Sequence, residues 1–352
     1  MAIRLSTLEN LGMILVTGNR GYIGTVMTKM LKTASYEVMG LDSDWYRDNH
    51  FYIDDANPNK QIIKDIRNVT SEDLDGVKGV IHLAALSNDP LGEVNPYLTE
   101  QINTDAAIKL ASLCKKRRIG RFIFASSCSI YGVATNDLPI SEEGHLNPQT
   151  SYAKAKVNAE RQLKALADDH FHPVIMRNAT VYGSSPKLRL DLVVNNLAAS
   201  AYLTGKIAVM SDGSPWRPLI HIEDFCQAFM IVLEAPQEKI YAEIFNVGSN
   251  EDNYQIRDLA LQIQNIMPHT KVEILNKMQS DERTYRVDFS KIKENIGFKS
   301  KWNLKEGILE LLNTFKENDL TLHDFTSGKY FRIGAIQSHL KEKRMNQELF
   351  WL

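Results

Sequence analysis

A doubly wound parallel α/β sheet, in a chain of one large domain or two intimate ones, is predicted by three observations. The apolar run opening at Met13 breaks into glycines at Gly18, Gly21 and Gly24. Strand-length apolar segments then alternate with helix-period segments as far as Ser127, the pattern of a parallel sheet covered on both faces. Finally, 352 residues, 43% of them apolar and 24% charged, supply an ordinary globular chain with a large core.

The first strand and its glycines set the site. An apolar run of this length reads as a buried strand, and glycines after it let the backbone turn tightly into a helix whose N-terminus faces outward. Free amides and the helix dipole there favour a pyrophosphate, although the spacing G-x-x-G-x-x-G is one residue longer than the commonest form. The helix runs to about Ser35, with Val26, Met27, Met30 and Leu31 at helical spacing, and Tyr36–Asp42 reads as the second strand. An acid at that strand end accepts hydrogen bonds from an adenosine ribose diol, so Asp42 favours NAD. Arg20, inside the glycine turn, can meet a 2′-phosphate and leaves NADP as the alternative.

Two further strands are expected at Gln61–Asp65 and Gly79–Ala85, the second ending in small residues where a backbone can approach a cofactor. A helix from about Pro96 to Arg118 leads into a strand at Arg121–Ser127. Ligands of such sheets sit at the carboxyl ends of the strands, where Gly18, Asp42, Ala84 and Ser127 all fall.

Ser151–Lys156, SYAKAK, then opens a helix expected to reach about Asp169. Tyr152 and Lys156 are four apart and share one face. A tyrosine hydroxyl ordinarily titrates near ~10, and an ammonium beside it favours the phenolate, making it a base at neutral pH. Ser127 would hydrogen-bond the same substrate oxygen.

Composition excludes several alternatives. A net charge of −2 carries no basic bias towards nucleic acid or an anionic membrane surface, and Lys115–Arg118 reads as the solvated end of a helix. Cys114, Cys128 and Cys226 are too few and scattered for a disulfide framework or metal cluster, which fits a reducing cytoplasm. No stretch approaches the roughly 18 consecutive apolar residues of a membrane helix, and residues 1–12 read as a lead-in to the first strand.

In order, TGNRGYIG at Thr17–Gly24, Asp42, Asp65-Ile66-Arg67, HLAA at His82–Ala85, Asn103, ASSCSIYG at Ala125–Gly132 and SYAKAK at Ser151–Lys156 make the chain resemble an extended short-chain dehydrogenase/reductase of the nucleotide-sugar epimerase/dehydratase family. RNATVYG at Arg177–Gly183, DGSPWRPLIHIEDF at Asp212–Phe225, FNVG at Phe245–Gly248 and DERTYRVD at Asp281–Asp288 extend the resemblance over roughly residues 13–315. It implies a Rossmann-type NAD(P)-binding domain at 1–175, rejoined by about 212–248, a smaller C-terminal substrate-binding α/β part at 176–318, and a tail at 319–352. It implies that Tyr152 is the acid/base, Lys156 its partner and ribose ligand, and Ser127 the substrate-hydroxyl ligand. The cofactor would lie along Gly18, Arg20, Gly21, Tyr22, Ile23, Gly24, Asp42, Asp65, Ile66, Leu83, Ala84 and Ala85. A nucleotide-diphosphate sugar would meet Ser87, Asn88, Ser127, Cys128, Asn178, Thr180, Arg217 and Arg283, the two arginines taking the diphosphate.

Departures from the family pattern narrow the reaction. Its 4,6-dehydratases carry an acid pair directly after the serine or threonine, where this chain has Cys128 and Ser129, so dehydration is disfavoured. Cys128 stands one place before the cysteine of relatives that epimerise beside a keto group, and a packing role is its alternative. The expectation is an NAD-dependent epimerase acting through a 4-keto sugar, with a 4-dehydrogenase, a 4-ketoreductase or a non-catalytic dinucleotide sensor as alternatives. The family's helices at 97–118 and 152–169 imply a homodimer, and the tail is expected to pack on its own domain or across a subunit contact.

Overall fold

The computed structural model describes residues 12–54, 56–87, 95–134, 138–276 and 283–352. The strands are β1 (Met13–Thr17), β2 (Glu37–Asp42), β3 (Lys60–Ile63), β4 (Val77–His82), β5 (Arg121–Ser127), β6 (His172–Asn178), β7 (Thr180–Tyr182), β8 (Lys206–Val209), β9 (Trp216–His221), β10 (Ile244–Val247), β11 (Asn253–Gln255) and β12 (Lys271–Ile274). Seven of them form one sheet in the order β3-β2-β1-β4-β5-β6-β10, every neighbouring pair parallel. The chain therefore starts near the middle, winds outward to β3, and returns across β1 to β4. That reversal opens a crevice above β1 and β4.

Strand alternation divides the core. Ile14, Val16, Ile81, Ile123 and Val174 face α1 (Tyr22–Thr33) and the later helix Ile222–Glu234, whose Phe225 and Phe229 stack at 4.4 Å. Leu15, Val80, Phe122, Phe124 and Ile175 face the other way, with Leu110 and Leu163. Full burial of such side chains contributes about 1.5–3 kcal/mol each. Leu110 and Leu163 belong to α3 (Ala106–Lys116) and α4 (Ser151–Leu166); α2 (Pro96–Glu100) joins α3 through a π turn at Gln101–Asp105.

That π turn has a use. A single wide turn rotates the side chains that follow it, and Asn103 within it accepts from the Leu86 amide at 2.8 Å and donates to the Leu86 carbonyl at 3.0 Å. The loop leaving β4 is thus held by a helix side chain. Beyond β6, a three-stranded sheet β11-β9-β7, a pair β12-β8 and a third apolar cluster around Leu190, Val194, Ile308 and Phe315 build the smaller part. β10 and the helix Ile222–Glu234 lie with the large sheet.

Strand ends differ from the sequence expectation where the chain must face the crevice. β4 stops at His82, paired with Thr17, so Leu83–Ala85 are loop and not strand. β3 stops at Ile63, and Asp65 instead caps the short turn Ile66–Asn68.

Candidate active site

The glycine turn packs backbone against backbone. Gly18 has φ +74°, and a Cβ there would lie 2.8 Å from the Ala84 nitrogen. At Gly24 a Cβ would come to 2.0 Å from the Gly18 carbonyl oxygen. Only glycine permits this approach. Gly21 caps α1 without a side-chain hydrogen bond, and the first turn carries no acid, so its amide end is left for an anion.

Around this turn lies a cleft walled by Gly18, Gly21, Tyr22, Ile23, Gly24, Asp42, Asp65, Ile66, Leu83, Ala84 and Ala85. The Asp42 carboxylate accepts from the amides of Arg20 at 2.9 Å and Asp44 at 2.6 Å, and burial raises its pKa against those two bonds. Asp65 is fixed by Arg67 through two side-chain bonds of 2.9 and 2.8 Å. Arg20 corrects an expectation. Its side chain lines neither the cleft nor the adjoining cavity, because Asp44 holds its Nε at 2.6 Å. Its amide donates to Asp42 at 2.9 Å.

A larger cavity of about 850 Å³ adjoins the cleft, sharing Tyr22, Ile23, Leu83, Ala85, Ser87 and Arg189 as walls. Ser127, Tyr152 and Lys156 all line it. Ser127 caps the short turn Cys128–Tyr131, its Oγ accepting from the Ser129 amide at 3.1 Å, which leaves its O–H to donate. Lys156 is 3% exposed and its Nζ donates to the Ala125 carbonyl at 2.7 Å, with the Tyr152 ring centre 5.7 Å away. Burial drops its pKa to about 7, opposed by Glu160.

Ser87, Asn178, Thr180, Arg217 and Arg283 also reach the cavity. Arg217 is 9% exposed and donates to the carbonyls of Trp216 and Arg283, which ties the two arginine segments together. Asn178 donates to the carbonyls of Ser126 and Met176, while its Oδ1 is buried without a partner. Asn88 lies outside the described residues.

Cys128 is a second correction: it does not line the cavity. The side chain is 1% exposed in the core, its Sγ donates to the Arg177 carbonyl at 3.2 Å, and burial raises its pKa well above the ordinary range. The neighbouring Ser129 faces the cavity instead, its Oγ buried and without a hydrogen-bond partner. Two residues beyond Ser127, it had a positional signal. Arg189, paired with Asp191 at 2.9 Å and donating to Ser87 at 3.3 Å, had none, since it comes from an irregular segment.

Behind the strand ends lies a buried polar cluster. Arg177 pairs with Glu160 at 2.8 Å and donates to Tyr131 Oη at 3.1 Å and to the Glu142 carbonyl at 2.8 Å. Tyr131 Oη in turn donates to Asn246 at 2.6 Å, and Ser126 donates to Glu160.

A model of the NAD dependent epimerase/dehydratase family matches residues 14–248. The chain belongs to that family. Among curated relatives, a Methanocaldococcus jannaschii protein provisionally named as a UDP-glucose 4-epimerase is 28% identical over 321 residues, covering 88% of this chain and 100% of its own. A UDP-glucuronate 4-epimerase from Thermodesulfobacterium geofontis is 26% identical, covering 88% of this chain and 97% of its own. Among solved structures, TunA, described as an NAD-dependent NDP-hexosamine 5,6-dehydratase of tunicamycin biosynthesis, superposes with a TM-score of 0.77 at 25% identity, covering 87% of this chain and 98% of its own.

As a member of the NAD-dependent epimerase/dehydratase family the chain is an NAD-dependent nucleotide-sugar epimerase or dehydratase, with NAD as cofactor. The residues present fit that dinucleotide: a cradle that any Cβ would fill, an uncapped helix N-terminus, and Asp42 at the end of the second strand. Among the described residues no helix is long and apolar enough to cross a membrane.

Proposed function

We propose that the chain is a nucleotide-sugar epimerase working through a 4-keto sugar, with Tyr152 as acid/base. Tyr152 Oη takes the proton of the C4 hydroxyl and returns it to the same oxygen after the keto sugar has turned over, so that the inversion falls on the C4–H bond. The Lys156 ammonium lowers the cost of the phenolate. Ser127 donates to the C4 oxygen, and Ser129 and Asn178 form part of the wall beside it. NAD, when bound, accepts the C4 hydride and gives it back. Arg217 and Arg283 hold the diphosphate in charge-assisted bonds, and that remote binding places the sugar.

One observation carries the choice of epimerase over dehydratase. Asp191 is the only carboxylate among the described lining residues, and Arg189 engages it through bonds of 2.9 and 3.1 Å. Elimination requires an acid able to protonate a leaving hydroxyl, and Cys128 and Ser129 cannot supply one.

A cytoplasmic homodimer belongs to the same proposal. All three cysteines are free and buried, and Tyr97, at the start of α2 on the face expected to pair, is 73% exposed.

The test is incubation of the purified protein and NAD with GDP-, UDP-, CDP- and dTDP-sugars, followed by product analysis. An inverted C4 centre without lasting reduced cofactor supports the epimerase. Stoichiometric reduced nicotinamide would make it a 4-dehydrogenase, and loss of the C6 hydroxyl would make it a dehydratase.

A further inference from the structure

Arg332 opens the helix Arg332–Lys341, beyond the residues 14–248 that the family model matches. Its side chain is 2% exposed, yet it lines the cofactor cleft together with Gly18, Gly21 and Asp42. The guanidinium donates to the Lys187 carbonyl at 2.8 Å and lies 4.0 Å over the Tyr46 ring. Its backbone amide donates to Asp191 Oδ2 at 3.4 Å, and the charges of Asp191 and Asp42 act on its guanidinium from further off, but among the described residues no carboxylate forms an ion pair with the guanidinium, whereas Arg189 on the same wall pairs directly with Asp191. A buried charge without a counter-ion is costly and is normally paired or hydrogen-bonded. Burial also pulls the Arg332 pKa down to about 10, which still leaves the group charged at neutral pH.

The segment carrying Arg332 is fastened to the two loops that flank the adenosine end of the cleft. After β2, Trp45 Nε1 donates to the Leu349 carbonyl at 3.1 Å, His339 Nε2 meets the Trp45 carbonyl at 2.9 Å, and Arg344 pairs with Asp48 at 2.7 Å. After β3, Arg67, the residue that fixes Asp65, donates to the Glu348 carbonyl at 2.8 Å and lies 3.8 Å over the Phe350 ring.

We propose that Arg332 is a ligand of the cofactor's pyrophosphate, supplied by residues 319–352 acting as a clamp over the dinucleotide. A planar guanidinium matches phosphate oxygens. It lines the same cleft as Gly21, the uncapped start of α1, so one bound anion can meet both helix amides and the arginine. The proposal rests on NAD being the cofactor. It makes the dinucleotide the contact ion partner that no carboxylate among the described residues provides to the guanidinium.

The test is Arg332→Met, which removes the charge and keeps an apolar stem. Cofactor-free Arg332→Met should melt at or above the wild-type temperature, because an unpaired buried charge has gone. Its dissociation constant for NAD should rise about ten- to a hundredfold, the range for a charged hydrogen bond. Adenosine, which lacks phosphate, should bind both proteins alike. A variant that fails to fold or melts lower would mark Arg332 as structural and overturn the proposal. So would NAD affinity within twofold of wild type, or equal weakening for NAD and adenosine. A wild-type protein that binds no NAD would overturn the cofactor reading beneath it as well.

Discussion

Lys156 Nζ donates a 2.7 Å hydrogen bond to the Ala125 carbonyl, fastening the helix that carries Tyr152 to the end of the strand that carries Ser127. Thr104 adds a second tie, donating to the Ala155 carbonyl at 2.9 Å from the π turn. Tyr152 and Ser127 therefore keep their separation through packing of α4 on the sheet, not through a loop.

The burial of Lys156 has a pH consequence. Its folded pKa is about 7 against an ordinary 10.5. Between those limits the unfolded chain holds the extra proton, so this group makes stability rise with pH across the window, and its penalty is complete below about pH 7. Relative to wild type, Lys156→Met should gain stability most below pH 7 and lose that advantage towards pH 10. Urea unfolding of the cofactor-free proteins at several pH values measures the difference, and parallel curves would refute it.

Tyr152→Phe should lower turnover about 10²- to 10⁴-fold, the usual contribution of a positioned acid/base. NAD affinity should stay within a few-fold, because the cradle at Gly18–Gly24 is untouched. Calorimetric titration with NAD beside a product assay separates the two, and full activity in the variant would exclude the assignment.

Adjacent residues at 128 and 129 should respond in opposite ways. Ser129→Ala should reduce kcat/KM a few-fold with little change in melting, since Ser129 forms part of the cavity wall and its buried Oγ has no hydrogen-bond partner to lose. Cys128→Ala should leave kcat/KM nearly unchanged and cost about 1–3 kcal/mol of stability through a small cavity and a lost bond to Arg177. The reverse pattern would place the thiol in the chemistry after all.

The pair Arg177–Glu160 should be destabilising to break and cheap to remove whole. Arg177→Met leaves the buried Glu160 uncompensated and should cost about 3–5 kcal/mol. Adding Glu160→Leu should recover part of that loss. Additive losses in the double-mutant cycle would show that the two are not coupled.

Arg217→Ala should raise KM for the nucleotide sugar more than it lowers kcat, because Arg217 is proposed to hold the diphosphate and not the reacting sugar carbon. Initial rates over a range of substrate concentration decide it. An unchanged KM would take the diphosphate away from this wall.

Sequence and structure meet best where the determinant is local. A strand end, a glycine turn, an acid closing the next strand and a tyrosine four residues before a lysine are each written within a few consecutive residues, and Gly18, Asp42, Ser127, Tyr152 and Lys156 all line the crevice. Arg20 and Cys128 misled for a shared reason: their neighbours in three dimensions, Asp44 and the Arg177 carbonyl, capture side chains that spacing alone points at ligands. Arg189 went unread because approach from an irregular segment leaves no period in a sequence. The π turn at Gln101–Asp105 is likewise invisible in a helical pattern that runs through it.

Residues 319–352 follow every strand of the sheet they fasten upon. Synthesis from the N-terminus therefore finishes the glycine cradle while its outer wall is still unmade. On the clamp proposed above, a nascent chain would offer the dinucleotide an open berth until residues 319–352 fold over it. Maturation and cofactor loading would then be a single ordered event, and a frameshift near Arg332 would yield a folded sheet that leaks its cofactor.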